Sequence, residues 1–347
     1  MIKSGKPTIR DLAEKAGVSK TAVSFAFNSP ERISTETYKK IMKIAQELGY
    51  SPDPVARILA KRRTQSLALL LPQSIPQVFQ NPYITEILRG FGDVCDREGF
   101  SVLVLSPVKG IISHAILNAA TDGIAILGVT SASEVHTVCK QRDMPYVTID
   151  ADNSSDYVNI GIDEELASEE LATILLEKGH RRICVCTLPS VSSTLIDDGS
   201  SETLNARTKG ILNAVNKYCE KIPDDLEFIE IDSAYNKAYE SAMKILSRKN
   251  RPTAIYCMAD IQAYGFYSAA RNLDLSIPGD VSIVTFDNLP HTDILDPRPT
   301  AVKQPGFEKG KIAAEFLIAM MNNKKCHSMV LEHSIFETDS VSIAEGN

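Results

Sequence analysis

Long apolar runs are missing from this sequence of 347 residues. No stretch approaches the roughly 20 consecutive apolar residues that span a bilayer. The opening residues M-I-K-S-G-K-P-T pass directly into a helix pattern without the apolar segment of a secretory signal peptide. We therefore expect no membrane partner and a protein that stays in the cytoplasm. The length exceeds that of a single hydrophobic core and favours two or three domains.

Paired cysteines are also scarce. The seven cysteines are an odd number, scattered over positions 95, 139, 184, 186, 219, 257 and 326. This pattern argues against a disulfide framework. The close pair Cys184 and Cys186 lies in the apolar run I-C-V-C, which favours one face of a strand, and it lacks the C-x-x-C spacing of metal and redox sites. The six histidines show no ligand spacing either, so we expect no metal and no cofactor.

Enzyme motifs are absent as well. The sequence contains no G-x-S-x-G, no H-E-x-x-H and no strand-linked G-x-G-x-x-G. The segment G-F-E-K-G-K-I at 306–312 resembles a phosphate-binding loop, but it has three intervening residues instead of four. It also has Ile312 where a Ser or Thr would hold magnesium. We therefore predict that the protein is not an enzyme.

Charge is present but unevenly divided. The whole chain has a net charge of −7, whereas residues 1–63 carry 13 Lys and Arg against 6 Asp and Glu, a net +7. The remainder consequently has a net charge of −14. Because contact with a polyanion needs local positive charge, this division assigns any nucleic-acid contact to the first 63 residues.

Those residues begin with the pattern of two short helices. Thr8 can cap the first helix, and Asp11 can complete a capping box. Ile9, Leu12, Ala13 and Ala16 recur at helical spacing as an inner face, and the helix should end at the following glycine.

Ser19 then offers a second N-cap, and Val23, Ala26 and Phe27 supply an inner face for the second helix. A third helix is predicted from Ser34 to Leu48. Two short helices joined by a turn with glycine fit a helix-turn-helix, which places its second helix in the DNA major groove. A plain helical hairpin is the alternative that the pattern leaves open.

The segment Y-S-P-D-P-V-A-R-I-L-A-K-R-R follows. Asp53 as N-cap and Pro54 at the first position favour a short helix to about Ala60. Such a helix is too short to be stable alone in water. It is either a linker that rests on the next domain or a hinge that folds on DNA and inserts Leu59 into the minor groove.

These motifs resemble the LacI/GalR, or lactose-repressor, family of bacterial transcriptional regulators. The resemblance rests on T-I-R-D-L-A-E-K-A-G-V-S-K-T-A-V-S at 8–24, on Asn28 and on L-G-Y-S-P-D-P-V-A-R at 48–57. It implies that Lys20 and Thr21 read bases and that Leu59 wedges the central base step. The positions that it implies in phosphate contact or backbone ordering are Thr8, Ser19, Ser24 and Asn28. We also expect Arg57 to contact DNA.

Phe25 departs from the family pattern, in which many members carry Arg. An Arg-to-guanine hydrogen bond is therefore not available from this position, and the ring either meets a thymine methyl or packs. The operator sequence stays open.

From Ser66 the pattern changes to alternating strands and helices. Apolar runs at 66–72, 101–105, 122–127 and 145–150 predict parallel strands, and amphipathic segments lie between them. A second series starts at Asp163. Its predicted strands lie at 183–186, 226–232, 254–258 and 281–287. This rhythm predicts two doubly wound α/β subdomains.

The predicted fold class is an all-α helix-turn-helix head with a hinge helix, joined to an α/β bilobed core of two doubly wound parallel-sheet subdomains. The resemblance implies that this core is like a periplasmic binding protein, with a helix near 306–322 returning to the first lobe. The predicted boundaries are 1–51 for the head, 52–65 for the hinge helix and linker, 66–162 with 306–332 for the first subdomain, and 163–305 with 333–347 for the second.

Ligands of such folds bind beyond the carboxyl ends of the strands, here between the lobes. Asp260 and Asp287 follow strands, and Arg207 precedes a helix; each alone is more often a cap or loop residue. The resemblance assigns these three residues to effector contacts and Tyr83 to the border of the site. Ala259 replaces the usual Asn, and the chain has no tryptophan to stack on a sugar.

We therefore predict a sequence-specific DNA-binding repressor of a carbohydrate-utilisation operon. Its expected partners are a pseudo-palindromic double-stranded operator, a second copy of the chain in a homodimer and a small-molecule effector, most simply a sugar. Control by a protein corepressor, a nucleobase or nucleoside effector, and a cytosolic solute-binding protein without a regulatory role are the alternatives.

Overall fold

The computed structural model describes residues 7–53, 55, 56, 58, 63–71, 74–107, 111–128, 134–152, 156–189, 202–223 and 225–344. The chain divides into two compact units, Met1–Thr64 and Gln65–Asn347. The first unit is helical and the second is α/β. None of the described helices combines the length and apolar character needed to cross a membrane.

In residues 7–53 of the helical unit, three helices pack around a small core. They are α1 (Ile9–Ala16), α2 (Lys20–Asn28) and α3 (Thr35–Leu48), with a 3-10 turn at Pro30–Arg32. The capping box forms as predicted: Thr8 Oγ1 accepts from the Asp11 amide, and Asp11 Oδ2 accepts from the Thr8 amide. Gly17 ends α1 with φ of +64°, the left-handed conformation that a glycine adopts without steric cost.

The core of this unit consists of small and branched apolar side chains from all three helices: Leu12, Ala13, Ala16, Val23, Ala26, Ile41 and Ala45. Phe27 packs against this core and is partly buried. Ile9 was predicted on the inner face, but its side chain is 36% exposed. It lies at the first position of α1, at the end of the helix. The helix-turn-helix prediction for 8–28 is otherwise confirmed in its geometry.

The described residues of the α/β unit form two sheets, each of six strands. The first sheet has, in spatial order, the strands Met329–Leu331, Asn159–Ile162, Tyr146–Ile149, Gly123–Leu127, Ser66–Leu70 and Ser101–Leu105, and all its pairings are parallel. The second has, in spatial order, Ser334–Phe336, Thr300–Lys303, Ser282–Asp287, Ala254–Cys257, Ile183–Thr187 and Leu226–Glu230. It is parallel except for Ser334–Phe336, which pairs antiparallel with Thr300–Lys303. We call each sheet with its helices a lobe.

The first lobe has these elements: β1 (Ser66–Leu70), α4 (Ile75–Val78), α5 (Pro82–Glu98), β2 (Ser101–Leu105), α6 (Ile112–Asn118), β3 (Gly123–Leu127), α7 (Glu134–Gln141), β4 (Tyr146–Ile149), β5 (Asn159–Ile162), α12 (Gly306–Met321) and β11 (Met329–Leu331). The second lobe has these: α8 (Glu164–Glu177), β6 (Ile183–Thr187), α9 (Glu202–Tyr218), β7 (Leu226–Glu230), α10 (Tyr235–Leu246), β8 (Ala254–Cys257), α11 (Asp260–Asn272), β9 (Ser282–Asp287), a 3-10 turn (Pro290–Ile294), β10 (Thr300–Lys303) and β12 (Ser334–Phe336).

Both faces of each sheet are covered, which explains why the central strands are buried on both sides. The strand Gly123–Leu127 is buried throughout, as is Ala254–Cys257. Helix α12 returns to the first lobe, where Ala313, Ala314 and Leu317 join the core formed with α5. The chain therefore crosses between the lobes after β5, after β10 and between β11 and β12.

Two glycine contacts bring helices unusually close together. A Cβ on Gly310 of α12 would lie 1.9 Å from the Ile87 carbonyl oxygen of α5. A Cβ on Gly210 of α9 would lie 2.1 Å from the Glu165 carbonyl oxygen of α8. The first crossing fixes the position of α12, which carries the buried cation Lys309. The second fixes the position of α9, which carries the buried cation Arg207.

The four short strands β5, β10, β11 and β12 were missed by the sequence reading. Each has only three or four residues, so none produces an apolar run long enough to stand out. The described part of the helix expected around 131–142 is α7 (Glu134–Gln141), and residues 129–133 lie outside the described ones.

Candidate functional site

The second helix of the head presents a polar face opposite its buried residues. Lys20, Thr21 and Asn28 are exposed, while Val23 and Ala26 on the other side of α2 are buried. Ser19, whose Oγ accepts from the Ala22 amide at 3.0 Å, is exposed at the N-cap, and Thr8 is exposed at the start of α1. This arrangement leaves the N-terminal part of α2 free to contact base edges.

The far end of this face is ordered by contacts between its own residues. Asn28 Nδ2 donates to the Ser24 carbonyl oxygen at 2.9 Å, four residues earlier in α2. Phe25 is half-buried, and the Arg32 guanidinium carbon lies 5.3 Å from its ring centroid. The Phe25 ring therefore packs against a cation at the edge of the face.

The hinge is described only in part. Asp53 Oδ1 accepts from the Val55 amide at 2.8 Å, the contact expected of a capping residue. Arg57 and Leu59, both predicted to contact DNA, lie outside the described residues.

A cavity of about 120 Å³ lies between the two lobes, beyond the carboxyl ends of their strands. Both lobes contribute to its walls. The lining residues are Asn81, Tyr83, Ile84, Leu127, Gly128 and Asp150 from the first lobe and Leu188, Pro189, Thr203, Leu204, Arg207, Met258, Ala259 and Asp287 from the second. Three of the four predicted effector residues, Tyr83, Arg207 and Asp287, are therefore brought together.

Arg207 is a buried cation, only 4% exposed. Its Nε donates to Glu164 Oε2 at 2.8 Å, and its Nη1 donates to the Met258 carbonyl oxygen at 2.6 Å. The guanidinium carbon lies 3.6 Å from the Phe286 ring centroid. Because an arginine has five N–H donors, these contacts fix its plane and leave donors for a cavity ligand.

Asp287 ends β9 with a backbone φ of +103°, which is unusual for a residue other than glycine. One of its carboxylate oxygens accepts a short hydrogen bond from Gln304 Nε2. Burial raises the pKa of Asp287 to about 7, although the neighbouring Arg207 lowers it. The carboxyl therefore titrates close to neutral pH and can serve a ligand as acceptor or donor.

The structure places Asp260 behind the cavity and not among its lining residues. Asp260 is fully buried at the first position of α11, and its Oδ2 accepts from the Leu289 amide at 2.7 Å. Burial raises the pKa of Asp260 well above its usual range, and the charge on Asp287 raises it further. In this structure Asp260 anchors the turn after β9 and so holds Asp287 in place.

Tyr83 belongs to a second buried polar group, on the first lobe. Its hydroxyl donates to Asp150 Oδ2 at 2.5 Å, and Lys309 Nζ lies 2.6 Å from Asp150 Oδ1. Burial, followed by the Asp150 carboxylate, raises the pKa of Tyr83 well above its usual value. The phenol therefore stays protonated and acts as the donor.

Four polar residues of this region were missed in the sequence: Asp150, Glu164, Gln304 and Lys309. A signal was present for two of them. Asp150 is the last residue of a predicted strand, as Asp287 is, and Lys309 lies four residues before Ala313 on the apolar side of α12. Within the described residues, no group of three or more His, Cys, Asp and Glu is placed to hold a metal ion.

A helix-turn-helix unit followed by a bilobed α/β core with a polar cavity defines a class, the DNA-binding regulators that carry a ligand-binding core. Residues 8–53 match the family model of bacterial regulatory proteins, lacI family, and residues 172–339 match that of the periplasmic binding protein-like domain. The chain therefore joins a LacI-family helix-turn-helix domain to a periplasmic-binding-protein-like domain, and the relatives that it resembles are transcriptional regulators of the LacI family, not enzymes.

Curated relatives and solved structures agree with this assignment. Catabolite control protein A of Staphylococcus epidermidis is 27% identical over 338 residues, covering 94% of this chain and 97% of its own. The HTH-type transcriptional repressor PurR of Serratia proteamaculans is 28% identical over 353 residues, covering 98% and 97%. The Lac repressor dimer bound to operator and the anti-inducer ONPF has a TM-score of 0.78 at 22% identity, covering 97% of this chain and all of its own. The predicted fold class is confirmed.

Proposed function

We propose that this repressor binds a pseudo-palindromic operator as a homodimer in the cytoplasm, and that a small molecule in the interlobe cavity changes its operator affinity. One observation carries the proposal: Arg207 and Asp287 line a cavity between the lobes of a chain that also holds a helix-turn-helix. The pair offers a fixed donor beside an acceptor, which suits recognition of a neutral polar ligand.

The control operates through linkage. A ligand that binds one lobe arrangement more tightly than the other shifts the population toward it, by no more than its differential affinity. Because two heads in a dimer must match two half-sites, a change in lobe arrangement changes how well both heads fit together.

On the DNA side, Lys20 and Thr21 contact base edges, and Phe25 either meets a thymine methyl or packs against Arg32 at the edge of the face. The phosphate contacts come from Thr8, Ser19, Ser24 and Asn28. Exposure of the polar α2 face supports these roles. Arg57 and Leu59 act in the hinge, where Leu59 wedges a central base step of the minor groove.

The cavity ligand is a sugar or sugar derivative, and the regulated genes form a carbohydrate-utilisation operon. Vicinal hydroxyls match the site because a hydroxyl both accepts from Arg207 and donates to Asp287. Tyr83 supports the site from its border. Asp260 supports it from behind, by anchoring the turn after β9.

A flat nucleobase is the second candidate, favoured by the apolar lining. Ile84, Leu127, Leu204 and Met258 face the cavity, and no tryptophan is present to stack on a sugar. The edge of a nucleobase also presents a donor beside an acceptor.

Two linked measurements test the proposal. Thermal shift of the full chain with ribose, cellobiose, hypoxanthine and uridine identifies the ligand, because a ligand bound to the native state raises the melting temperature. Footprinting across genomic DNA identifies the operator. Sequence-preferring sites whose occupancy changes with the ligand support the proposal. Occupancy that changes only when a second protein is added favours a protein corepressor, and ligand binding without preferred DNA sites leaves a solute-binding protein.

A further inference from the structure

A lysine with no exposed surface lies at the floor of the cleft. Lys309 is 0% exposed, and its ammonium group has three partners: Asp150 Oδ1 at 2.6 Å, Gln304 Oε1 at 2.7 Å and the Tyr83 hydroxyl at 2.9 Å. An ammonium has three donors, so every one of them is used within the protein. A buried charge of this kind is tolerated only when it is paired and hydrogen-bonded.

These contacts occupy two polar side chains that the first lobe offers to the cavity, Asp150 and Tyr83. Asp150 receives Lys309 on one oxygen and the Tyr83 hydroxyl on the other. The Tyr83 hydroxyl donates to Asp150 and accepts from Lys309. A cavity ligand therefore finds these side chains already engaged, and its polar contacts fall mainly on Arg207 and Asp287 of the second lobe.

The same network continues across the cleft. Gln304 directly follows β10 of the second lobe, accepts from Lys309 through its amide oxygen and donates from its amide nitrogen to Asp287. A continuous chain of hydrogen bonds thus runs from Asp150, at the end of β4, to Asp287, at the end of β9. Lys309 is the member that joins the two halves of this chain.

We propose that Lys309 is a positioning residue that couples Asp287 in the second lobe to the strand end at Asp150 in the first, a role that rests on the proposed function of the cleft. A ligand that donates to Asp287 competes with Gln304 for the same carboxylate. Release of Gln304 from Asp287 breaks the link between Asp287 and Lys309, and the strand end at Asp287 loses its connection to the first lobe. Occupancy of the cavity is converted in this way into a change of lobe arrangement.

Hydrogen exchange of the full chain, followed by mass spectrometry, tests this role without DNA or ligand. In Lys309→Met, peptides spanning 146–150 and 284–289 both exchange about tenfold faster, because local opening at both strand ends becomes easier. The matched control is Lys311→Met, which changes the same residue type in the same helix at a site partnered by Glu308 at 3.5 Å. Faster exchange confined to the first lobe, or no change at all, overturns the proposal.

Removal of Lys309 also leaves Asp150 as a buried charge without its cation, which destabilises the protein for a reason unrelated to coupling. The double variant Asp150→Asn/Lys309→Met removes both charges and supplies the second readout. We expect its melting temperature to recover toward the wild-type value while peptide 284–289 still exchanges about tenfold faster. Exchange restored to wild type at 284–289 would show that Lys309 only compensates a charge.

The result of the hydrogen-exchange experiment is separable from the result of the tests of the proposed function. Unchanged hydrogen exchange would overturn the role of Lys309 but would not contradict the proposed repressor function or its control by an effector. A ligand screen that fails leaves the exchange result intact, because the measurement contains neither the effector nor the operator.

Discussion

Asp150 and Asp287 are the residues at which the lobes face each other, and both have strained backbone. Their φ angles are +53° and +103°, values that residues other than glycine rarely adopt. Such conformations cost roughly 1–3 kcal/mol each and persist where the surroundings hold them. Lys309 and Tyr83 hold Asp150, whereas Gln304 holds Asp287. Two of the residues that line the cavity are therefore held in strained conformations by their neighbours.

Asp287 gives the protein a pH-dependent stability. Its pKa is about 7 in the folded chain against an ordinary 3.8, so its stabilising contribution is complete below pH 3.8 and is lost as the pH rises toward 7. The neighbouring charges are Asp260, Glu164, Arg207 and Lys309. We expect Asp287→Asn to reduce the fall in unfolding free energy between pH 5 and about pH 7, measured by urea unfolding.

Asp93→Asn is the control for that experiment, because the Asp93 side chain is 55% exposed on α5. Its unfolding free energy should follow the wild-type pH curve. A wild-type curve parallel to that of Asp287→Asn would contradict the assigned titration.

Lys20 carries a prediction at the DNA face. Lys20→Ala should weaken binding to the footprinted operator by about 1–3 kcal/mol, because it removes a base contact, and should relax sequence preference. Lys39→Ala makes the same charge change at an exposed position of α3 and should weaken binding less. Anisotropy titrations at one fixed salt concentration compare the two. Equal losses would show that Lys20 contributes charge alone.

At the scale of elements, close helix crossings position the cleft. Gly310→Ala would bring a Cβ within 1.9 Å of the Ile87 carbonyl oxygen, so α12 must move away from α5. We expect a loss of about 1–3 kcal/mol or more in unfolding free energy. Gly92→Ala in α5 meets nothing within 4 Å and should be neutral or stabilising by up to about 1 kcal/mol. Urea unfolding measures both, and equal effects would refute the crossing.

The elements also show how much of the fold and of the site could be predicted from the sequence. The three head helices and the central strands could be predicted, because caps and continuous apolar runs are local signals. The short strands β5, β10, β11 and β12 could not, since a run of three or four residues shows no clear period. Arg207, Asp287 and Tyr83 were found at the cavity, whereas Asp260 lies behind it. The network through Lys309 could not be foreseen, because its members come from four distant segments and their contacts are set only by tertiary packing.

At the scale of the whole molecule, charge is divided between the two units. The first 63 residues carry +7 and the remainder carries −14. Binding to DNA should therefore depend steeply on salt, because each neutralised phosphate releases counterions. We expect the logarithm of operator affinity to fall linearly with the logarithm of salt concentration between 50 and about 200 mM. An affinity independent of salt would contradict a phosphate-contacting head.

The central claim is that occupancy of the interlobe cavity sets operator affinity. The direct measurement is an anisotropy titration of the footprinted operator with wild type and Asp287→Asn, each with and without the ligand found by thermal shift. We predict that the ligand changes the wild-type Kd by about tenfold or more, within the usual range of allosteric coupling, and that this factor collapses toward one in Asp287→Asn. A ligand that raises the wild-type melting temperature but leaves the operator Kd unchanged would contradict the account.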